Sequence, residues 1–284
     1  MRAHRQKLRF ERVAVNGPSR GRGRVDRRRL GHDPVQAQQG ETMAYSSWRG
    51  VLGVIKPTMR PGSLEEQIRL MPEGIGVVPL VNRVRHGRLE EFSSALPAYE
   101  TMTAELVEAG VDLIHPGGTP PFMLQGYDGE ARLIEAWERK YNVPIFTSGQ
   151  NQVAALRALK VKKFVSIRAT TWDEGNRTVG GYFRDAGFDV LAIERMDVPW
   201  ERIGSLSSQE VYAHIKKMFL AHSGAQAIHM LGGGFRVLDM VATIEQDLGV
   251  PMIHPSAAVV WETQKRLHVR EPRTGYGVLL ADLP

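Results

Sequence analysis

Short apolar runs alternate along the chain with longer segments in which apolar residues recur at helical spacing. The runs predict β-strands at residues 49–55, 75–81, 111–114, 143–146, 163–167, 190–193, 225–230 and 250–253. The other segments predict helices at residues 63–71, 96–110, 130–141, 150–159, 173–186, 208–221, 237–248 and 257–267. Ser63 with Glu66 three residues on has the spacing of a capping box. Short, wholly apolar strands that alternate with helices are typical of an α/β fold with parallel sheets.

The pattern of elements occurs twice. Residues 54–58 (VIKPT) match residues 166–170 (SIRAT) at an offset of 112, and His115 matches His229 at an offset of 114. Residues 143–146 (VPIF) match residues 250–253 (VPMI) at an offset of 107. Three matches at similar offsets predict two similar α/β halves, with residues 43–160 in the first and residues 161–284 in the second.

The charge of the chain is concentrated at its amino end. Residues 1–42 hold 11 Lys and Arg against 4 Asp and Glu, whereas the remainder holds 26 basic and 27 acidic residues. This basic segment has no apolar periodicity and predicts a disordered extension. Alternatives are that translation begins at Met43, or that the segment is an Arg-rich organelle address. Because the body is close to neutral, we expect it to bind no nucleic acid.

Cysteine is absent from all 284 residues. The chain therefore has no disulfide, no thiolate metal site and no cysteine nucleophile. The amino end lacks the apolar core of a secretory signal, and no apolar run is long enough to span a membrane. We expect a cytoplasmic protein without a membrane partner.

Two glycine-rich turns follow apolar runs and open into helical segments. The first spans residues 114–122 (IHPGGTPPF) and the second spans residues 228–235 (IHMLGGGF). A buried strand that runs into a glycine turn presents backbone N–H groups that bind small anions. The candidates for this binding are Gly117, Gly118, Thr119, Gly232 and Gly233. The alternative is that these glycines only let the helices pack closely.

Lys56 and Arg168 stand at equivalent strand ends in the two repeats. In doubly wound sheets the carboxyl ends of the strands line the ligand crevice. Two cations there would suit an anionic substrate, for example a dicarboxylate. Alternatively, both side chains are simply solvated.

Three histidines, His115, His229 and His254, lie in or just after predicted strands. Histidine titrates near neutral pH and is therefore suited to general acid–base catalysis. Each of them could instead be a hydrogen-bonded structural residue. Three histidines could also bind zinc, but no HxH spacing occurs, so we expect no metal site.

The glycine turns, residues 172–176 (WDEGN), residues 250–253 with the following Trp261-Glu262, and residues 275–277 (GYG) together resemble a known family. It is the aspartate/glutamate racemase superfamily, and above all its arylmalonate decarboxylase and maleate isomerase branch. The resemblance covers roughly residues 51–280. It implies two pseudo-symmetric flavodoxin-like halves, each with a parallel sheet flanked by helices. It also implies an active site in the cleft between the halves and no metal or organic cofactor.

The resemblance also implies which positions carry chemistry. Two family cysteines, one per half, face each other across the substrate Cα and exchange a proton, and the decarboxylases keep only the second. These positions fall on Gly118 and Gly232, and a tyrosine that holds a substrate carboxylate falls on Thr171. Thr119 fits the family pattern, whereas Pro120 departs from it. Without thiols, two-cysteine racemisation and the thiol-dependent forms of isomerisation and decarboxylation are excluded.

We therefore expect a cofactor-independent enzyme that acts on a small carboxylic acid, as a decarboxylase-like lyase or as an isomerase. Backbone N–H groups of the glycine turns would hold the oxyanion, and a histidine, first of all His254, would replace cysteine as acid and base. Two alternatives stay open: a hydrolase of a small amide or ester on the same scaffold, and a catalytically silent carboxylate-binding protein. The sequence leaves the oligomeric state open, a homo-oligomer included.

Overall fold

The computed structural model describes residues 46–169 and 174–284. Its strands are β1 (Gly50–Lys56), β2 (Ile75–Val81), β3 (Leu113–Pro116), β4 (Lys163–Arg168), β5 (Asp189–Arg195), β6 (Ile228–Leu231) and β7 (Met252–Ile253). Its helices are α1 (Ser63–Leu70), α2 (Leu89–Ser93), α3 (Leu96–Glu108), α4 (Thr119–Met123), α5 (Tyr127–Tyr141), α6 (Ser148–Ala158), α7 (Gly175–Asp185), α8 (Ser208–Ala221), α9 (Val241–Leu248), α10 (Pro255–Arg266) and α11 (Val278–Asp282). Short 3-10 helices cover Trp200–Ser205 and Leu238–Met240.

The strands form two parallel sheets. The first three strands of both sheets are arranged in the same order. The first sheet is β2–β1–β3, and the second is β5–β4–β6–β7. His115 in β3 lies beside Val54 in β1, as His229 in β6 lies beside Ser166 in β4. The predicted α/β fold with two parallel sheets flanked by helices is confirmed. The division into residues 43–160 and 161–284 stays a prediction, and the extension 1–42 lies outside the described residues.

The predicted strand 143–146 is reduced to a single parallel bridge between Ile114 and Ile145. The backbone N–H of Ile114 donates to the carbonyl of Pro144 at 3.0 Å, and the N–H of Phe146 donates to the carbonyl of Ile114 at 3.0 Å. Ser148 then begins α6, so the chain leaves the sheet after two hydrogen bonds. The bridge occupies the place in the first sheet that β7 holds in the second.

The predicted capping box of α1 was wrong by one residue. Gly62 precedes the helix, and its backbone N–H donates to the carboxylate of Glu65 at 2.8 Å. Glu66 turns towards the interior instead, where it accepts a hydrogen bond from the Ser256 hydroxyl at 2.6 Å. Burial raises the pKa of Glu66 to about 7.

Helix α10 connects the two sheets. All its residues from Pro255 to Gln264 are buried, because the helix packs between α1 and α6. One apolar cluster contains Leu52 of β1 and Phe146 together with Phe164 and Ile228 of the second sheet. The ends of both sheets are therefore held against a shared core. Every helix within residues 46–169 and 174–284 is too short or too polar to span a lipid bilayer.

Candidate active site

A cavity of about 120 Å³ lies where strands of both sheets end. Its wall contains residues that follow β1, β3, β4 and β6, and also the first residues of α1, α4, α6 and α10. Helix amino ends direct backbone N–H groups outwards, and the carboxyl ends of parallel strands line the ligand crevice, so this place favours the binding of anions. The position matches the ligand crevice expected of this type of fold.

The first glycine turn has few free hydrogen-bond donors. The N–H of Gly117 donates to the carbonyl of Ile55 at 2.8 Å, and the N–H of Gly118 donates to the Ser148 hydroxyl at 3.3 Å. The two residues after Thr119 are prolines and have no N–H. Their place in the first turn of α4 costs little, because the first N–H groups of a helix have no partner within the helix. This turn lines the cavity but contributes little to the binding of an oxyanion.

The second glycine turn has free donors. Gly232, Gly233 and Gly234 all line the cavity. No hydrogen bond from their backbone N–H groups to another described residue is present. Adjacent backbone N–H groups without a partner can bind an anion. The two turns therefore differ in the number of free N–H donors although their sequences are similar.

His115 is the histidine that reaches the cavity. Its side chain is 1% exposed, and its ring stacks on Phe146 with centroids 4.8 Å apart. Nδ1 lies 2.9 Å from the carbonyl oxygen of Phe146, which can only accept, so Nδ1 carries the proton. Nε2 is then an acceptor and lies 3.4 Å from the Ser148 hydroxyl. Burial lowers the pKa of His115 to about 4, so its imidazole is neutral at pH 7.

His229 and His254 do not line the cavity. Nδ1 of His229 accepts from the Ser166 hydroxyl at 2.9 Å, and its Nε2 donates to the side-chain carbonyl of Gln152 at 3.0 Å. His254 caps α10, where its Nδ1 accepts from the backbone N–H of Ser256 at 3.2 Å. Burial lowers the pKa of both histidines to about 3. Both therefore lie in the interior as neutral side chains. Both ring nitrogens of His229 are hydrogen-bonded, whereas Nε2 of His254 is buried without a partner among the described residues.

Two cations line the cavity, Lys56 and Arg60. The Lys56 ammonium donates to the carbonyl of Thr58 at 2.8 Å and to the carbonyl of Arg60. The Arg60 guanidinium lies 4.5 Å from the ring centroid of Trp200 and donates to the carbonyl of that residue at 3.0 Å. Burial lowers the pKa of both groups. Both cations keep further N–H donors for a ligand, since an ammonium has three and a guanidinium five.

Arg168 does not line the cavity, although Lys56 at the equivalent strand end does. The Nε of Arg168 donates to the side-chain carbonyl of Asn176 at 2.6 Å, which turns the guanidinium towards α7. Thr171 lies outside the described residues. The sequence-predicted residues that the structure brings together are thus Lys56, His115, Gly117, Gly118, Thr119, Gly232 and Gly233.

Sequence reasoning missed Ser148, Arg60 and Gly234. Ser148 lies just after the apolar run 143–146. A position in or just after such a run was the signal that selected the three histidines, and the same signal applies to Ser148. Arg60 lies in the loop after Lys56, where no periodic pattern fixes its direction. The described residues include no group of three or more His, Cys, Asp or Glu side chains placed to hold a metal ion.

Comparison with known proteins gives a family and a fold. The sequence matches the arylmalonate decarboxylase family over residues 61–280. No curated protein matches it significantly. The maleate isomerase Iso from Pseudomonas putida S16 superposes with a TM-score of 0.76 at 20% identity, over 83% of this chain and 99% of that chain.

Two further solved structures are similar. A crystal structure of arylmalonate decarboxylase has a TM-score of 0.69 at 18% identity, over 82% of this chain and 99% of that chain. The maleate cis-trans isomerase of Nocardia farcinica, bound to TRIS, has a TM-score of 0.73 at 19% identity. That match covers 82% of this chain and 98% of that chain. At these identities the superpositions establish the fold.

Proposed function

The chain belongs to the arylmalonate decarboxylase family, and from this premise we propose that it is an enzyme that acts on a small carboxylic acid without a cofactor. The similar structures are named as an arylmalonate decarboxylase and as isomerases of maleate. A lyase or an isomerase reaction on a small mono- or dicarboxylate is the corresponding proposal for this chain. No thiol takes part, because the chain has no cysteine.

Lys56 and Arg60 bind a carboxylate of the substrate in this proposal. Both line the cavity and are partly desolvated, so a charged partner gains more there than it would in water. The guanidinium also offers the paired N–H groups that a carboxylate accepts in bidentate fashion. A dianionic substrate is therefore preferred over its monoamide.

Loss of a proton or of carbon dioxide next to a carboxylate produces an enolate. The free N–H groups of Gly232, Gly233 and Gly234 stabilise its oxyanion. His115 moves the proton, directly or through the Ser148 hydroxyl, and so takes the role that the sequence suggested first for His254. The choice rests on position, because His115 lines the cavity and His254 does not.

The observation that carries the proposal is the neutral imidazole of His115 in one cavity with free backbone donors and two cations. The test is incubation of the full chain in D₂O with phenylmalonate, methylmalonate, maleate and aspartate, followed by proton NMR. We expect loss of a substrate or deuterium at its Cα. His115→Gln should lower that rate by about 10²- to 10⁴-fold, as expected when a general base is lost.

His222→Gln is the matched control, because His222 lies at the end of α8 and outside the cavity wall. Equal losses in both variants would contradict the role of His115. If no substrate changes while malonate binds and raises the unfolding temperature, the catalytic proposal fails. The silent carboxylate-binding protein would then be the better description.

A further inference from the structure

Ser148 and His115 form a hydrogen-bonded pair at the cavity wall. The Ser148 hydroxyl donates to Nε2 of His115 over 3.4 Å, and Nδ1 of His115 donates to the carbonyl of Phe146 over 2.9 Å. Both side chains line the cavity. A hydroxyl beside an oriented, unprotonated imidazole is the arrangement that activates serine as a nucleophile. The distance to Nε2 is long, as such contacts often are without substrate.

Local structure also favours negative charge on the Ser148 oxygen. Ser148 is the first residue of α6, an 11-residue helix whose amino end carries partial positive charge. The backbone N–H of Gly118 donates to the same oxygen at 3.3 Å. A reciprocal capping box between Thr147 and Gln150 fixes this turn, with both contacts at 3.1 Å. The oxygen is therefore held in place and stabilised as it loses its proton.

We propose that Ser148 and His115 act as a nucleophile–base pair that hydrolyses esters of small carboxylic acids. The inference goes beyond the proposed function, since it shares the cavity but attacks a carbonyl carbon instead of removing a proton from carbon.

The two halves of the protein support this assignment by their differences. At the sequence offset of 107, Pro255 stands where Ser148 stands in the first half, and it has no hydroxyl. His229, the counterpart of His115, has both ring nitrogens bonded to Ser166 and Gln152. The second half instead has the free N–H groups of its glycine turn. One half therefore supplies a nucleophile, and the other half supplies donors for an oxyanion.

The position of Ser148 in its helix does not by itself explain its contact. Ser208 is likewise the first residue of a helix with a capping box, α8. Its hydroxyl donates to the backbone carbonyl of Arg236 at 2.7 Å instead of to a histidine. Ser208 therefore provides a matched comparison for Ser148.

The reaction needs only water as a co-reactant. The Ser148 oxygen attacks the ester carbonyl carbon while its proton passes to Nε2 of His115, and the carbonyl oxygen becomes the oxyanion of a tetrahedral intermediate. Collapse breaks the bond to the leaving alcohol, which takes the proton from Nε2. Water, deprotonated by Nε2, then attacks the acyl-serine. The bond from the acyl carbon to the Ser148 oxygen breaks, the serine regains the proton, and a carboxylic acid leaves.

The two cations determine which substrate is preferred, and the hydrogen-bond partner of His115 influences the rate. Lys56 and Arg60 favour an acyl group with a second carboxylate, such as the half-ester of a dicarboxylic acid. A neutral carbonyl stands behind His115, where the familiar triads have a carboxylate, so the imidazolium is stabilised less. We therefore expect slow turnover. With an activated ester, whose good leaving group makes acylation the faster step, the acyl-enzyme accumulates.

The test uses the full chain with p-nitrophenyl acetate. We expect a burst of p-nitrophenolate and a mass increase of one acetyl group, located by peptide mapping on Ser148 and removed by neutral hydroxylamine. Ser148→Ala should lower the burst at least tenfold, whereas Ser208→Ala should leave it unchanged. His115→Gln should slow acylation while Ser148 is still present.

A Ser148→Cys variant keeps the experiment informative if Ser148→Ala fails to fold. Because the chain has no other cysteine, thiol-specific alkylation of that variant reports on this position alone, and peptide mapping distinguishes its acetylation from that of lysines. Acetyl groups on lysines only, or an unchanged burst in Ser148→Ala, would overturn the pair. Deuterium exchange without acylation would overturn it too but leave the proposed function intact. Acylation without exchange would support the pair alone.

Discussion

Gly118 and Gly232 both have positive φ angles, of 99° and 85°, but their surroundings differ. A Cβ on Gly118 would lie 2.9 Å from Pro57 and 2.9 Å from the Tyr99 hydroxyl. A Cβ on Gly232 would meet no described atom within 4 Å. The resemblance described above predicts that both positions correspond to the two cysteines of the racemases. The structure accommodates a side chain at Gly232 far better than at Gly118.

Alanine substitution of the two glycines should therefore have unequal costs. Gly232→Ala should lower the free energy of unfolding by about 1–2 kcal/mol, the cost of a side chain in a left-handed conformation. Gly118→Ala should cost more, because its neighbours must also move. Urea unfolding measures both. Gly110→Ala, with a φ of 73° and open space around it, is the control for the backbone cost alone. Equal losses at Gly118 and Gly232 would contradict the steric argument.

Single residues also show where sequence reasoning ends. His115, His229 and His254 have equivalent signals in the sequence, since each lies in or just after an apolar run. Only the direction of the side chain distinguishes them, and packing against Phe146, Gln152 and α10 determines it. Ser148 belongs to no recognisable sequence motif, because its partner His115 lies 33 residues away in the chain. Chemistry that depends on such pairs becomes visible only after folding.

Among the secondary-structure elements, α6 has the clearest influence on the site. It presents Ser148 to the cavity, and its amino end is held by the contacts between Thr147 and Gln150. The same type of box, between Ser207 and Glu210, begins α8 away from the cavity. A comparison of variants in these two caps therefore distinguishes the effect of a cap on stability from its effect on catalysis.

Gln150→Ala and Glu210→Ala each remove the reciprocal half of a capping box. We expect each variant to lose about 1 kcal/mol in the free energy of unfolding. Only Gln150→Ala should also lower the acylation burst, because the first turn of α6 then holds the serine less firmly. Urea unfolding and the p-nitrophenolate burst measure the two effects. A similar burst in both variants would show that the cap does not position Ser148.

Most elements followed from apolar periodicity, and two of the exceptions, α4 and the run 143–146, have physical causes. Helix α8 was predicted with its observed bounds, and β2 likewise. Helix α4 was not predicted, since two of its five residues are prolines, which are tolerated only in a first turn. The run 143–146 has the composition of a strand but is cut short by the cap of α6.

Across the whole of the described chain, several ionisable groups are buried outside any ion pair with a neighbouring side chain. Burial lowers the pKa of His115 to about 4 and the pKa values of His229 and His254 to about 3. Burial raises the pKa values of Glu66 and Glu130 to about 7. Between about pH 4.5 and 6.5 the unfolded chain therefore binds three more protons on histidines. The folded chain binds two more on these two glutamates, so these five groups together leave a difference of one proton.

Stability should therefore fall as the pH is lowered from about 6.5, by about 1.4 kcal/mol per pH unit for one proton. Below about pH 4.5 the glutamates are protonated in both states, so the loss should become steeper. Above pH 6.5 the raised pKa values of the glutamates reverse the trend. Urea unfolding at pH 7, 6, 5 and 4 measures the profile. Glu130→Gln should about double the slope between pH 6.5 and 4.5, and an unchanged slope would contradict this account.

Among the described residues, the groups suited to transfer protons line the cavity on one side only. Ser148 and His115 stand at the cavity wall beside the first sheet, whereas Pro255 and backbone N–H groups stand there beside the second sheet. A planar enolate bound between them would meet its proton donor on a single face. The product of such a reaction would then have one handedness, and its mirror image would not form. A chain with two similar parallel sheets would thus distinguish left from right through the side chains in which the surroundings of those sheets differ.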